Sequence, residues 1–233
     1  MDKSQETRNQ IERMPFWAHM SERERTRLME FAVIREYEAG SMLHATDGDC
    51  LGMVVVLQGS VRAYMVSEEG REITLYHINK GETDVLTASC ILYQITFDTE
   101  MVVEEDSRIL ILPTVVLKGL KEENVYVRSY IYEVLTERFS DVMWTMQQIL
   151  FYGIDQRIAA FLLDQVAGNG IGSGQVPEIH ITHEQIAREI NTAREVVARI
   201  IRRFVADGLV ETGRGRLRLI DLKGLRALTE GMG

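Results

Sequence analysis

The sequence predicts an α+β protein with an N-terminal antiparallel β-barrel or jelly roll, a long helix and a C-terminal winged helix-turn-helix. Three observations predict this class. Short apolar segments separated by glycines extend from Val33 to Leu112, and a helical apolar period follows from about Glu122. After residue 181, two capped helical segments precede a basic hairpin. The changes between a strand period and a helical period separate these parts.

The N-terminal part is predicted to be helical over residues 1–30, with Ser21 capping a second short helix, Glu22–Phe31. Strand signals then begin at Val33, and glycines recur at about ten-residue intervals, which is the spacing of turns in a small barrel. Ser67–Arg71 is predicted to be a hairpin turn. The predicted strands between these turns are Met53–Leu57, Val61–Val66 and Ile73–Ile78.

Apolar residues at steps of three or four predict one long amphipathic helix that needs a partner surface. They are Ile131, Leu135, Phe139, Val142, Met146 and Ile149. This stripe could form a two-fold dimer interface or could pack only on its own barrel, and we favour the dimer interface because the stripe is wide enough for both.

Gly153 interrupts this helix, and Asp155 is predicted to cap a further helix, Gln156–Ala167. We interpret Phe151–Asp155 as a hinge. The predicted domains are therefore an effector barrel over residues 1–121, a dimerisation helix over 122–152 and a winged helix-turn-helix over 153–233.

Residues 181–203, ITHEQIAREINTAREVVARIIRR, predict two short helices joined by a tight turn. Thr182 with Gln185 and Thr192 with Glu195 have the spacing of capping boxes, so a helix is expected after each threonine. Asn191 tolerates the left-handed backbone of the turn. Gly208 is placed to end the second helix. Residues predicted to face the core are Val196, Val197, Ile200, Ile201 and Phe204.

The segment LVETGRGRLRLI, Leu209–Ile220, predicts two short strands around a turn at Gly213–Gly215. Arg214, Arg216 and Arg218 lie on or beside its tip. A basic hairpin after such a helix pair is typical of a wing that contacts DNA phosphates. Asp221 is predicted to cap a last helix, Leu222–Thr229.

Composition and charge exclude several classes of protein. No apolar run has the roughly twenty residues of a membrane span, and the polar N-terminus is not a signal peptide. Cys50 and Cys90 give neither a disulfide framework nor metal spacing, so we expect a cytoplasmic protein. The net charge is −9, but residues 170–233 carry 10 Lys and Arg against 8 Asp and Glu, whereas residues 1–169 carry 16 against 27. The positive charge therefore lies with the helix pair.

This order of parts resembles the Crp/Fnr family of bacterial transcription regulators, whose barrel is of the cyclic-nucleotide-binding type. The similarity is carried by ITHEQIAREINTAREVVARII, by GSVRAYMVSEEGREITLYHINKGE and by the hinge stretch ILFYGIDQRIAAFLL. The resemblance implies a non-enzymatic homodimer that binds a palindromic double-stranded DNA site with a TGA-like core. It also implies RNA polymerase as a partner and a small-molecule effector.

By resemblance, Arg194, Glu195 and Arg199 are the base-reading residues. An arginine fork fits the O6 and N7 of guanine, and a glutamate accepts from the amino group of cytosine. Thr182 matches a family position that holds a phosphate at a helix N-terminus. The residues expected to contact the DNA backbone are Thr182, Arg188, Thr192, Arg202, Arg203, Arg214 and Arg216.

The effector of this chain is not predicted by the resemblance. The cyclic AMP cassette of the family falls on Val85 and Leu86, no arginine lies between Arg71 and Arg108, and the adenine-contacting hydroxyls fall on Val142 and Met143. Cyclic nucleotide is therefore not expected. Two cysteines are too few for the family's iron–sulfur cluster.

Haem is not expected either, because the haem-ligand positions of the family's carbon-monoxide sensors fall on Val85 and Thr87. A cavity between the barrel and the dimerisation helix remains possible. It would suit a neutral or apolar ligand, and a filled, ligand-free core fits the sequence as well. The candidate lining residues are Thr83, Asp84, Leu86, Thr87, Ser89, Cys90, Met143, Trp144 and Met146.

Two other functions fit the sequence less well. A cupin-like jelly-roll enzyme needs a His-x-His metal site, but the barrel holds only His44 and His77, far apart in the sequence, so no metal site is predicted. A ligand-binding module that acts on a protein partner would leave the arginines of the second helix and the basic hairpin without a function. Whether the protein activates or represses, and whether its cysteines are redox-active, stays open.

Overall fold

A computed structural model describes residues 3–43, 51–68, 70–85, 99–168 and 176–230. The chain divides into two compact units, one of residues 1–71 and 75–143 and the other of residues 144–233 with the short piece 72–74. The boundary falls inside the long helix, so the functional division at residues 121 and 152 stays a prediction. In the described residues, no helix has the length and apolar character that would let it cross a membrane.

The first unit begins with two helices and a single 3₁₀ turn, Trp17–His19. Helix α1 spans Lys3–Ile11 and α2 spans Glu22–Phe31. Ser21 caps α2 as predicted, because its side chain accepts from the Glu24 backbone N–H while the Glu24 carboxylate accepts from the Ser21 N–H at 2.6 Å.

In the described residues, seven strands follow: β1 Val33–Tyr37, β2 Met53–Gln58, β3 Ser60–Val66, β4 Glu72–Asn79, β5 Thr83–Asp84, β6 Glu100–Val103 and β7 Ser107–Leu112. They form two sheets, one in the order β1-β7-β2-β5 and the other in the order β4-β3-β6. The predicted Ser67–Arg71 turn is present, since the Ser67 N–H donates to the Arg71 carbonyl at 2.9 Å.

Two helices follow: α3 spans Thr114–Glu123, and α4 spans Val125–Phe151, whose residues after Met143 belong to the second unit. The first half of α4 packs on its own unit, because Val127, Ile131 and Val134 are buried in the same apolar core as β2 and β7. The predicted stripe therefore divides. Ile131 is buried and Leu135 packs on this core, whereas Phe139, Met146 and Ile149 are exposed in the single chain.

The second unit has its own apolar core, which contains Ile158, Ile186, Val197, Ile201 and Phe204. Its elements are α5 Ile154–Gly168, β8 Glu178–Ile179, α6 His183–Glu189, α7 Arg194–Ala206, β9 Val210–Gly213, β10 Arg216–Leu219 and α8 Leu222–Leu228. The three strands form one antiparallel sheet in the order β8-β10-β9.

The predicted cap of α5 is wrong. Asp155 lies in the first turn of α5, and the Arg157 N–H donates to the carbonyl of Gly153. The Gln156 side chain accepts from the Gly153 N–H at 3.0 Å and supplies the capping bond instead. The Asp155 carboxylate is engaged elsewhere, by Arg203.

Gly208 ends α7 in the left-handed conformation, with φ of +72°. The Gly208 N–H donates to Val205 and the Leu209 N–H to Phe204, which is a Schellman turn. A Cβ added here would meet nothing within 4 Å. We therefore expect Gly208→Ala to lower the free energy of unfolding by about 1 kcal/mol through backbone strain alone. Denaturant unfolding measures this effect, and Gly208→Asn should lose less; equal stability of wild type and the alanine variant would contradict the assignment.

Candidate nucleic-acid interface

Helix α6 begins at a complete capping box. The Gln185 N–H donates to the Thr182 hydroxyl at 3.2 Å, and the Thr182 N–H donates to the Gln185 side chain at 2.8 Å. Thr182 itself is exposed. The predicted start of this helix is confirmed, because a capping box depends only on residues three apart in the sequence.

The turn between α6 and α7 is built on Asn191, which has φ of +54° and is the only non-glycine residue with positive φ in the described ranges. The Thr192 N–H donates to the Ala187 carbonyl at 2.8 Å, and the Asn191 N–H donates to Arg188 at 3.3 Å. These two bonds close the end of α6 as a Schellman turn. The predicted left-handed turn at Asn191 is confirmed.

The predicted second capping box is wrong. Helix α7 starts at Arg194, its N-cap residue is Ala193, and no side chain caps it. The cause is local: the Thr192 N–H completes the turn that ends α6, so Thr192 belongs to that turn and Ala193 is the last extended residue, with φ −85° and ψ 145°. Glu195 is therefore exposed in the first turn of α7 without a capping role.

Helix α7 has one buried and one exposed face. Val197, Ile201 and Phe204 are buried, while Val196 and Ile200 are partly buried at its margin. This confirms the predicted core face. The exposed face carries the predicted contact residues Arg194, Glu195, Arg199, Arg202 and Arg203.

The arginines of this face differ in their partners. Arg203 donates to the Asp155 carboxylate at 2.7 Å, and Arg202 donates from Nε to the Ala198 carbonyl at 3.2 Å. Arg194 and Arg199 form no salt bridge with any residue that the structure describes. Their guanidinium groups are therefore the ones most available to a ligand.

Arg203 lowers the pKa of Asp155 below its ordinary value of 3.8, chiefly through their hydrogen bond. A carboxyl whose pKa is lower in the folded state stabilises the protein above its unfolded pKa, and this contribution is lost as the pH falls through the folded value. Because the Asp155 and Arg203 side chains are 34% and 49% exposed, solvent screening limits the effect to about 0.5–1 kcal/mol.

We therefore expect Asp155→Asn to be less stable than wild type at pH 7, and we expect the two stabilities to converge as the pH falls through the lowered pKa of Asp155. Urea unfolding of both proteins at pH 7 and over a series of acidic pH values measures this. A stability difference that stays constant with pH would contradict the ion pair.

The wing is the β9–β10 hairpin, in which Arg216 pairs with Gly213 across the turn. Arg214 and Arg216 are exposed, and Gly215 at the tip has φ of +69°. Arg216 lies 3.6 Å from the Glu178 carboxylate. Arg218 forms a 2.6 Å ion pair with Glu211 on the opposite strand of the hairpin, so it links the two strands. Strand β8, which pairs with β10, was not predicted, because two residues carry no detectable period.

A cleft of about 450 Å³ lies where the start of α6, the exposed side of α7 and the wing meet. Thr182, Arg194, Arg202 and Arg216 line it. His183 also lines this cleft, and burial, followed by the neighbouring Arg194, lowers the pKa of its imidazole. His183 is therefore neutral at pH 7, and the positive charge of the cleft comes from arginines. The structure thus brings the predicted contacts Thr182, Arg194, Arg202 and Arg216 together around one concave surface.

The predicted effector residues are placed differently from one another. Thr83 and Asp84 are buried in the first unit, where Tyr76 donates its hydroxyl to Asp84 at 2.9 Å. Burial and then the Asp84 carboxylate raise the pKa of Tyr76 far above its ordinary value. Met143, Trp144 and Met146 are exposed in the single chain. Leu86, Thr87, Ser89 and Cys90 lie outside the described residues, as do His44 and Cys50.

Sequence analysis missed Arg138, a buried arginine on α4. Its guanidinium donates to the Asp141 carboxylate at 2.8 Å and to the Thr83 carbonyl at 3.2 Å, and it lies 5.2 Å from the centre of the Tyr76 ring. A charged residue beside the apolar stripe of α4 is a local signal, but its burial does not follow from that signal, because Thr83 and Tyr76 are distant in the sequence.

Each of the two units matches a known protein family. A family model described as a Crp-like helix-turn-helix domain matches residues 156–228, and one described as a cyclic nucleotide-binding domain matches residues 34–124. These matches cover the unit that contains α6, α7 and the wing, and most of the β-sheets of the other unit.

Similar proteins are transcription regulators. A crystal structure of a transcriptional regulator assigned to the Crp/Fnr family from Eubacterium rectale is 34% identical, with a TM-score of 0.84 over 94% of this chain and 99% of that chain. Transcriptional regulator SdrP of Thermus thermophilus is 25% identical over 76% of this chain and 84% of its own length. Transcriptional activator protein FnrA of Stutzerimonas stutzeri is 24% identical over 79% and 75%, respectively.

Proposed function

Because this chain belongs to the Crp/Fnr family of DNA-binding transcription regulators, we propose that it binds a palindromic DNA site as a homodimer and reads bases with Arg194, Glu195 and Arg199. The family assignment also makes it a non-enzymatic protein with a cyclic-nucleotide-binding-type domain. The observation that carries the proposal is the exposed pair Arg194 and Arg199, which has no salt-bridge partner in the described part of the chain.

Base reading requires side chains that reach the floor of the major groove from one side of a helix. Arg194 and Glu195 lie in the first turn of α7, and Arg199 lies one turn further along the same exposed face. Helices of helix-turn-helix proteins contact base edges with residues near their N-termini. The arginines would each bond O6 and N7 of a guanine, and Glu195 would accept from the N4 amino group of a cytosine.

Phosphate contacts would come from the cleft and the wing. Thr182 lies exposed at the N-terminus of α6, and it would exchange its bonds to the Gln185 side chain for a phosphate. Arg202 and Arg216 line the same cleft. Arg214 at the wing tip would contact the neighbouring DNA backbone. The remaining proposed contacts are Arg188 and Thr192, at the turn between the helices, and Arg203, which would exchange Asp155 for a phosphate.

The second half of α4 would form the dimer interface. Phe139, Met143, Met146 and Ile149 are exposed in the single chain, and Trp144 is 62% exposed. A large exposed apolar stripe of this kind marks a protein interaction site. A two-fold interface along α4 would set two α7 helices about one DNA turn apart, so the site should consist of two half-sites about 34 Å apart.

Control by an effector in the barrel is part of this proposal, and cyclic AMP does not suit the residues present. Val85, which stands where the family has the glycine of its nucleotide cassette, is fully buried in the apolar core. Asp84 and Arg138 are already bound to Tyr76 and Asp141. An RNA polymerase contact and a cytoplasmic location follow from the same family role.

DNA binding is expected to depend steeply on salt. A dimer that neutralises about six to ten phosphates loses roughly 10³- to 10⁵-fold in affinity between 50 and 200 mM salt, because condensed counterions are released. Fluorescence anisotropy with a duplex recovered by selection from random sequences measures this. The plot of log affinity against log salt should be shallower for Arg214→Ala plus Arg216→Ala than for wild type. A flat wild-type response would contradict the proposed backbone contacts.

A further inference from the structure

The first unit contains a cleft of about 390 Å³ between the end of α1, strand β2 and the first half of α4. This volume lies within the range of small-molecule sites, which is roughly 300–1,000 Å³. Its residues do not belong to the DNA-binding unit, and Thr83 is the one residue that it shares with the predicted effector set.

The walls of this cleft are of two kinds. Pro15 is exposed, Leu57 is partly buried and Met14 is 8% exposed, and together they give the cleft an aliphatic wall. The hydroxyls of Thr83 and Tyr130 lie 3.1 Å apart in the same lining and provide polar contacts. A ligand with an aliphatic body would therefore be bound mainly by apolar contact, as in most small-molecule sites.

The charge of the lining has one sign. Arg13 and Lys80 are exposed lining residues, and none of the lining residues is acidic. The chain as a whole has a net charge of −9, so the local excess of positive charge in this cleft is opposite in sign to the charge of the whole protein. Neither Arg13 nor Lys80 has a salt-bridge partner among the residues that the structure describes. The cleft thus has cations without counter-charges beside an aliphatic surface.

We propose that this cleft binds a free amphiphile with an anionic head and an aliphatic body, of which a medium-chain carboxylate is the simplest example. The Arg13 guanidinium presents a planar fork that matches a carboxylate, and Lys80 adds a point charge. The aliphatic body packs on Pro15, Leu57 and Met14. Through Tyr130 the ligand contacts α4, the helix that also carries the proposed dimer residues.

Isothermal titration of the full-length protein with decanoate, below its micellar concentration and without DNA, tests the proposal. Saturable binding is expected, and Arg13→Ala plus Lys80→Ala should weaken it by about tenfold or more, because two charge-assisted contacts are lost. Arg23→Ala plus Arg35→Ala removes the same charge from exposed positions outside the lining and should leave binding unchanged.

Two further measurements distinguish binding in the cleft from non-specific binding of an amphiphile to the protein surface. Decylamine, with the same chain and a cationic head, should not bind. Gln10→Trp, a substitution on α1 at a lining residue, should block decanoate while thermal unfolding stays at the wild-type temperature. The proposal is overturned if decanoate binding does not saturate or if decylamine binds equally well. It is also overturned if the Arg13→Ala plus Lys80→Ala protein binds decanoate as well as the Arg23→Ala plus Arg35→Ala protein does. Because DNA is absent, the result does not depend on the proposed DNA contacts.

Discussion

Replacing Arg194 and Arg199 together with alanine is expected to lower the affinity for a selected duplex by about 100-fold or more. Each bidentate arginine–guanine contact contributes about 1–3 kcal/mol of discrimination. Both side chains are exposed and have no salt bridge in the described residues, so their removal should leave the fold intact. Fluorescence anisotropy against selected and random duplexes measures affinity and specificity separately. Specificity should fall with affinity.

A matched control distinguishes loss of specific base contacts from a general effect of the lower net charge. Arg23→Ala plus Arg35→Ala changes the net charge by the same amount at exposed positions of the other unit. This control should retain the wild-type preference for the selected duplex. If both double variants discriminate as well as wild type, the base-reading role of Arg194 and Arg199 is wrong.

Placing acidic side chains on the exposed stripe of α4 is expected to give a monomer. Phe139 is 62% exposed and Met146 is 46% exposed in the single chain, so Phe139→Glu plus Met146→Glu does not remove either side chain from the buried core. The buried charges would prevent association of two such stripes. Sedimentation velocity measures the change of state, and DNA affinity should fall by roughly 100- to 10,000-fold because one half-site contact per complex is lost.

The comparable control is Val66→Glu plus Val115→Glu, which places two charges on exposed apolar positions of β3 and α3, outside the stripe of α4. It should remain a dimer with the affinity of wild type. A Phe139→Glu plus Met146→Glu protein that sediments as the same dimer would show that α4 does not provide the interface, and circular dichroism would confirm that both variants are folded.

Features that depend on neighbouring residues were predictable from the sequence. The Thr182 capping box, the left-handed Asn191 and the Gly208 end of α7 each need only a few residues of context, and all three are present. The start of α7 was misplaced by one residue, because the Thr192 N–H was free to complete either of two turns and bonds to Ala187. Sequence spacing alone does not decide between two such local bonds.

Features that depend on distant partners were not predictable. Asp155 was assigned as a cap, yet it pairs with Arg203, which is 48 residues away. Arg138 is buried because its partners include the Thr83 carbonyl on another element. The stripe of α4 was recognised from its period, but the period does not reveal that Ile131 is buried in its own unit while Phe139 is left exposed.

Base reading by Arg194 and Arg199 is tested most directly by combining the Arg194→Ala plus Arg199→Ala variant with altered DNA. Replacing the half-site guanines with 7-deazaguanine removes N7, one of the two acceptors an arginine fork requires, and leaves base pairing intact. The proposed contact predicts that wild-type affinity falls by about tenfold or more on the altered duplex, while the variant binds both duplexes equally. Equal losses for wild type and variant would contradict base reading by these two arginines.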